Sequence, residues 1–318
     1  MTHLPISVIV PTIGRPASLE RLLQSLAIQS YRPFEVLIAD GSSSSETESI
    51  ANQLRWRTLG LEITRIPVSP PNAVSQRKAA IARSTGEYLL FLDDDVVLEP
   101  TCIENMISVI LSAEDIVAVV ADFNNQTWSR PTTAWRWYLR VVHQLREGAW
   151  SGKVIGPLLR FGFNPIPKEP QSMEWLGTCN SMIRRRTYEI SGGFSDFFLH
   201  RCTMNEDVDL GLKIARYGRI MFCPSARLGH FHAAGGRVSP AIAAEDDLYN
   251  RFLILKQTLG QSAIRASWLI CVFFVIETTS NIVGCFRRAS FSGFGASLLG
   301  RSRALARIFL GAGRRPTD

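Results

Sequence analysis

The sequence predicts an α/β protein with a mostly parallel sheet flanked by helices, followed by a helical extension that is both apolar and basic. Three observations predict it. Short apolar runs alternate with helical spacings through the first third of the chain, several of those runs close on proline or aspartate, and arginines collect beside an apolar stretch after residue 277. Strands separated by helices imply right-handed crossovers and therefore parallel neighbours. In such sheets ligands bind beyond the carboxyl ends of the strands, where Pro11, Asp40 and Asp93 fall.

Ile6–Val10 reads as the first strand, ending at Pro11-Thr12, and Leu19–Ile28 as a helix through Leu19, Leu22, Leu23 and Leu26. Phe34–Ala39 is the second strand, closing on Asp40-Gly41 and a serine-rich loop. Leu61–Ile66 is the third, and Asn72–Ser84 is helical, with Ala79, Ala80 and Ala82 as good helix formers. Gly86 ends that helix, and Tyr88–Leu92 is a buried strand running into Asp93. After a strand at Val117–Ala121 the pattern loosens. Residues 123–176 hold Trp128, Trp135, Trp137, Trp150 and Trp175 among several prolines, a partly helical excursion suited to an acceptor or to aromatic core packing. Helix character returns at Glu206–Tyr217, a strand at Arg219–Cys223 and a further helix at Leu248–Leu259. The expected division is residues 1–122, residues 123–255 and a helical tail at 256–318.

With 318 residues, 46% hydrophobic and 20% charged, the chain can bury a full α/β core and is not of disordered composition. Six scattered cysteines without a CxxC pair suggest neither a zinc site nor a disulfide scaffold. Met1–Ser7 is too short for a targeting segment and leads into the first strand, so a cytoplasmic location is expected. Residues 278–318 carry seven arginines against Asp318, a net +6 of the chain's +7, which leaves +1 for residues 1–277. That distribution argues against nucleic-acid binding by the body and points the tail toward an anionic surface. Ala266–Phe286 reaches the ~20 residues of a membrane span only if Glu277 is tolerated. Beyond it, Leu298, Leu305 and Phe309 share one helical face and Arg303 and Arg307 lie opposite, the pattern of a helix lying in a membrane surface. A true span and a soluble packing or homo-oligomerising helix are the competing readings.

Three adjacent aspartates, Asp93, Asp94 and Asp95, repel one another unless a cation is present. Alternate residues of an extended chain face one way, so Asp93 and Asp95 can converge while Asp94 points elsewhere. Two carboxylates and a diphosphate fit Mg²⁺ or Mn²⁺; a solvated loop or helix cap, with Glu99 and Pro100 close behind, is the plain alternative. Glu206, Asp207 and Asp209 start a helix, where acids favour its positive end, yet a carboxylate fixed there is also placed to act as a base. His230 and His232, as alternate residues, could face one pocket as a metal ligand and a packing group.

The ordered set Val8-Ile9-Val10-Pro11-Thr12 with Arg15, Glu35–Ser42, Gly86–Asp95, Gly177–Asn180, Gly192-Gly193-Phe194 and Glu206–Gly211 resembles the large family 2 of inverting glycosyltransferases, of GT-A fold, over roughly residues 4–255. It is similar to the bacterial enzymes of polysaccharide assembly. The resemblance implies that Pro11, Thr12 and Arg15 line a nucleotide pocket, that Asp40 accepts a hydrogen bond from the base, and that Arg77 faces the diphosphate. Where family members often have asparagine after that arginine, this chain has Lys78. It further implies Asp93 near ribose and metal, Asp95 as the firmest metal ligand, Asp94 in support, and His230 as a metal-binding histidine with His232 in reserve. Asp207 matches the catalytic base, and Glu206 beside it contacts acceptor or orders the loop. The implied cofactor is Mn²⁺ or Mg²⁺. The implied partners are a nucleotide-sugar donor, UDP- or dTDP-linked before GDP-linked, and a glycan or lipid-linked acceptor reached from the cytoplasmic face of the membrane. A sugar-phosphate nucleotidyltransferase would place a Gly-rich, Lys/Arg-bearing loop after the first strand, unlike Pro11–Pro16. A non-catalytic glycan-binding scaffold is opposed by Asp95, Asp207 and His230 together.

Overall fold

The computed structural model describes residues 4–31, 35–199, 202–232, 238–288 and 290–310, with the side chain of Arg288 excepted. Met1, Phe34 and Asp318, named above, lie outside the described residues, as do two of the seven tail arginines, Arg314 and Arg315. The chain divides into two compact units. One comprises Met1–Thr127, Pro165–Ser195 and Leu210–Arg237; the other comprises Trp128–Asn164, Asp196–Asp209 and Val238–Asp318.

The first unit is a mixed sheet flanked by helices. Its strands are β1 (Ile6–Thr12), β2 (Glu35–Asp40), β3 (Ile63–Pro67), β4 (Tyr88–Leu92), β5 (Val96–Leu98) and β6 (Ile116–Phe123). After a small ladder in the other unit, β7 (Val154–Ile155) with β8 (Leu159–Arg160), they continue as β9 (Gln171–Met173), β10 (Asn180–Arg184) and β11 (Arg219–His230). The order is β3-β2-β1-β4-β10-β6-β11-β5, with β9 also on β11. β1 to β4, β6 and β11 run one way, while β10, β5 and β9 run against them. The parallel strands are continuous apolar runs because both faces are covered: every residue of β1, β4 and β6 is buried.

Helices α1 (Pro16–Ala27), α2 (Glu46–Ala51), α3 (Leu54–Thr58), α4 (Ala73–Ile81), α5 (Cys102–Leu111) and α7 (Arg185–Ile190) belong to this unit. α1 begins with proline in its first turn and buries Leu19, Leu22, Leu23 and Leu26. α4 is shorter than its alanine content suggests. Asn72 stands outside as the cap, its Oδ1 accepting from the amides of Val74 (2.9 Å) and Ser75 (3.1 Å). At the other end Arg83 and Ser84 turn back to carbonyls three residues earlier. β11 runs on to His230 instead of stopping at Cys223, because Pro224–Ala226 bulge out of register with β6 and pairing then resumes.

The second unit is mainly helical: α6 (Thr133–Val142), the start of α8 (Glu206–Ile214), α9 (Pro240–Leu253), α10 (Ala263–Arg288) and α11 (Phe294–Leu310). α9 starts eight residues before the expected Leu248, at a Ser239 cap followed by Pro240, and continues into a π-helical turn at Ile254–Thr258. α6 rests on α10 through Trp135, whose ring lies 5.8 Å from that of Phe273 and whose Nε1–H donates to Glu277 at 3.1 Å. Glu277 also lies 3.8 Å from Arg301. The charge that interrupts the apolar stretch is therefore turned toward partners within its own unit.

α11 packs along α9 on Gly300 and Ala304, both buried. A Cβ at Gly300 would come within 2.1 Å of the Ala241 carbonyl oxygen, so only glycine permits that approach. One helical turn on, Arg307 also faces α9, 2.9 Å from Glu245 and with its guanidinium 4.2 Å over the Tyr249 ring. This corrects one part of the expected amphipathic face: Arg307 answers buried acids, whereas Arg303 and Phe309 are exposed.

Candidate metal and nucleotide site

The parallel strands deliver the first unit's polar side chains to one edge. Thr12 pairs with Asp40 at the ends of β1 and β2, and Asp93 follows β4 directly. Gln76 of α4 ties the two strand ends together, donating from Nε2 to the carbonyls of Thr12 (2.8 Å) and Ala39 (2.7 Å). Its neighbour Arg77, itself buried, donates from Nη2 to Asp93 Oδ1 at 2.7 Å and to the Thr178 carbonyl at 3.3 Å.

Asp94 turns the other way, accepting from Thr12 Oγ1 (2.6 Å) and Arg15 Nη1 (3.2 Å). Arg15 also comes within 3.7 Å of Asp95. Asp95 meets His230, with Nε2 to Oδ1 at 3.1 Å. Strand register sets that meeting. His230 of β11 pairs opposite Val96 of β5, and the next amide, Phe231 N–H, donates to the Asp95 carbonyl at 2.8 Å. The His230 ring stacks on Phe123 at 5.6 Å and lies 4.2 Å from His232. His232 has a left-handed backbone (φ 29°) and contacts Gln126 at 3.0 Å through its ring nitrogen.

One ligand atom each from Asp93, Asp95 and His230 lies within 4.8 Å of the others. Two carboxylates and one imidazole suit a divalent ion of the Mn²⁺ or Mg²⁺ kind. The electrostatics point the same way. Burial pushes the Asp93 carboxyl above its usual range, Arg77 opposes that, and Asp95 adds to it. Burial likewise raises Asp94 to about 6 against the pull of Thr12 and Arg15. Both carboxyls are raised chiefly by burial, and holding them ionised there calls for positive charge close by.

Asp40, fully buried, accepts from Arg65 Nε at 2.8 Å and from the Ser42 amide at 2.8 Å. Arg65 and Gln76 were not among the sequence candidates. A lone arginine inside the Leu61–Ile66 run was the available signal for the first; nothing in the spacing marks the second.

The remaining candidates belong to the second unit. Asn205 takes a left-handed backbone (φ 70°), a conformation asparagine tolerates, and turns the chain into α8 while its Nδ2 donates to Asp247 Oδ1 at 2.8 Å. Glu206 and Asp207 then occupy the helix's first turn. Asp207 Oδ1 accepts from the Val208 amide at 2.8 Å, and Oδ2 is paired with Arg160 of β8. Asp207 is the main cause that pushes the Arg160 guanidinium up from its ordinary value. Arg160 lies in the loosely patterned part of the sequence, where no periodicity singles it out.

The glycosyl transferase family 2 model matches residues 7–189, more than half the chain. The chain belongs to glycosyl transferase family 2. Among curated family relatives, the O-antigen biosynthesis protein RfbC of Myxococcus xanthus is 27% identical over 252 residues, covering 76% of this chain and 18% of that protein. N-acetylglucosaminyl-diphospho-decaprenol L-rhamnosyltransferase of Mycobacterium tuberculosis is 24% identical over 253 residues, covering 74% and 78%. The chain spans under a third of the length of the first curated relatives it matches. The mannosyltransferase PcManGT from Pyrobaculum calidifontis, solved in complex with GDP-Man and Mn²⁺, shares the fold with a TM-score of 0.59 at 16% identity, covering 98% of this chain and 89% of that one. The fold is the GT-A fold of that family, and it carries Asp93, Asp95 and His230 as a candidate metal group.

Proposed function

We propose that the protein is an inverting glycosyltransferase. It moves a sugar from a nucleotide-diphosphate donor, UDP- or dTDP-linked before GDP-linked, to a hydroxyl of a lipid-linked glycan in cell-surface polysaccharide synthesis. The observation that carries this reading is the convergence of Asp93, Asp95 and His230 beside Arg77. The names of the Myxococcus and Mycobacterium relatives, with their O-antigen and diphospho-decaprenol, support the setting.

Asp93, Asp95 and His230 would hold the ion, with His232 in reserve; when bound, a divalent cation offsets the charge gathering on a departing diphosphate. Pro11, Thr12, Arg15 and Asp40 line the nucleotide, Arg77 serves the diphosphate side, and Asp94 steadies Arg15 and Thr12. Asp207 accepts the proton of the acceptor hydroxyl as its oxygen bonds to the anomeric carbon. The bond from that carbon to the diphosphate oxygen breaks, and its electron pair leaves with the nucleotide diphosphate. A single displacement inverts the anomeric centre. Arg160 holds the Asp207 carboxylate in place, and Glu206 contacts the acceptor or orders the turn.

α10 is long and apolar enough to cross a membrane. The inward contacts of Glu277 with Trp135 and Arg301 favour a helix that lies at a membrane's cytoplasmic face, with α11 beside it. Asp207→Asn should lower transfer by about 10²–10⁴-fold while leaving Mn²⁺-dependent nucleotide binding intact, and proton NMR of the product should show the inverted anomer. Undiminished transfer by that variant removes the assigned base; a retained anomer removes the single displacement.

A further inference from the structure

The second unit contains a cavity of about 700 Å³ between α6 and the chain that follows it. Arg136, Trp137 and Arg140 line it from the helix, and Arg146, Glu147 and Trp150 from the following segment. None of them has a role in the chemistry above.

Its charge is unbalanced. Three guanidinium groups face one carboxylate, and the closest approach, Arg136 to Glu147, is 4.0 Å. Arg140 and Arg146 have no carboxylate partner among the described residues. Arg136 and Arg140 stand four residues apart on one helical face, an arrangement of like charges that costs an isolated helix stability. The same helix separates its aromatics. Trp135, Tyr138 and Leu139 are buried, whereas Trp137 is 63% and Val141 54% exposed. α10, on which α6 rests, exposes Trp268, Val275 and Phe286 in the same unit. Arginines without counter-charge, bordered by an exposed indole and exposed aliphatic groups, match the level of a bilayer where phosphate meets acyl chain.

We propose that this cavity seats the phosphate headgroups of an anionic bilayer, with Arg140 and Arg146 on phosphate and Trp137 at the acyl boundary. The proposal deepens the membrane reading above and rests on it. It assigns headgroup recognition to α6 and its following segment, in addition to the C-terminal helices.

The test is co-sedimentation of the full chain with phosphatidylcholine vesicles, with and without phosphatidylglycerol. Arg140→Gln/Arg146→Gln should bind the phosphatidylglycerol vesicles on the order of 20-fold more weakly than the wild type at low salt, near the summed effect of two basic side chains. It should bind the neutral vesicles equally. Bromine-labelled acyl chains should quench tryptophan emission of the wild type more than that of Trp137→Phe, a readout independent of charge. Equal vesicle affinity and equal quenching in wild type and variants overturn the assignment while leaving membrane attachment standing. A wild type that ignores both vesicles overturns attachment itself. Retained thermal melting of the variants separates lost contact from lost fold.

Discussion

Each unit carries three consecutive acids, and they are neutralised differently. At the end of β4, Asp93, Asp94 and Asp95 draw on Arg77, Arg15, Thr12 and His230, and burial still holds Asp93 and Asp94 above the usual carboxylate range. On α9, Glu245 meets Arg307 at 2.9 Å, Asp246 accepts from the Cys202 amide at 3.1 Å, and Asp247 takes Arg251 at 3.1 Å and Asn205. Burial pushes Asp247 up, yet Arg251 and Asn205 outweigh it and hold that carboxyl below its ordinary value. A run of acids closed by its own arginines is a structural joint. A run whose carboxyls are raised by burial at a strand end, with an imidazole beside it, is a place where binding a cation gains free energy.

The sharpest way to break this contrast is to remove one acid from each run. Asp95→Ala should abolish calorimetric Mn²⁺ binding and lower transfer by about 10³-fold, whereas Asp246→Ala should leave Mn²⁺ affinity unchanged. Equal Mn²⁺ affinity in wild type and Asp95→Ala would put the ion elsewhere. The next effect is on stability. Arg251→Ala leaves Asp247 without its main counter-charge and should cost about 3 kcal/mol in urea unfolding at neutral pH. Because the folded Asp247 is depressed, its contribution is complete above the unfolded value of ~4 and fades as pH falls through the folded one. The wild type should therefore lose on acidification an increment that the variant never had, and identical pH–stability curves would refute the pairing. The smallest effect concerns Asp94. Mn²⁺-dependent nucleotide affinity should decline as pH drops through about 6, where Asp94 takes a proton. Arg15→Gln should move that midpoint upward, since Arg15 lowers Asp94. A midpoint indifferent to Arg15 would mean that Asp94 does not set it.

The same contrast explains what could be read from residues alone. Buried parallel strands are continuous apolar runs, so β1, β2 and β4 and the acids that close them stand out. β10 does not. Five residues with asparagine and serine inside, inserted antiparallel between β4 and β6, give no alternation that separates them from a loop. β5 is only three residues long, yet it carries His230 to Asp95. Arg65, Arg160, Arg251 and Arg307 each answer an acid distant in sequence or one turn away, and spacing alone cannot tell a counter-ion from a solvated charge. That is why the tail reads as freely basic when Arg301 and Arg307 are already engaged.

The three unpaired residues of β11, Pro224–Ala226, work as a phase shifter within a single strand. Beyond the insert, pairing with β5 holds His230 opposite Val96. A change of insert length that shifted this pairing by one residue would present Gly229 or Phe231 to Asp95 instead. The imidazole would then be lost from Asp95 without any change to a residue of the site.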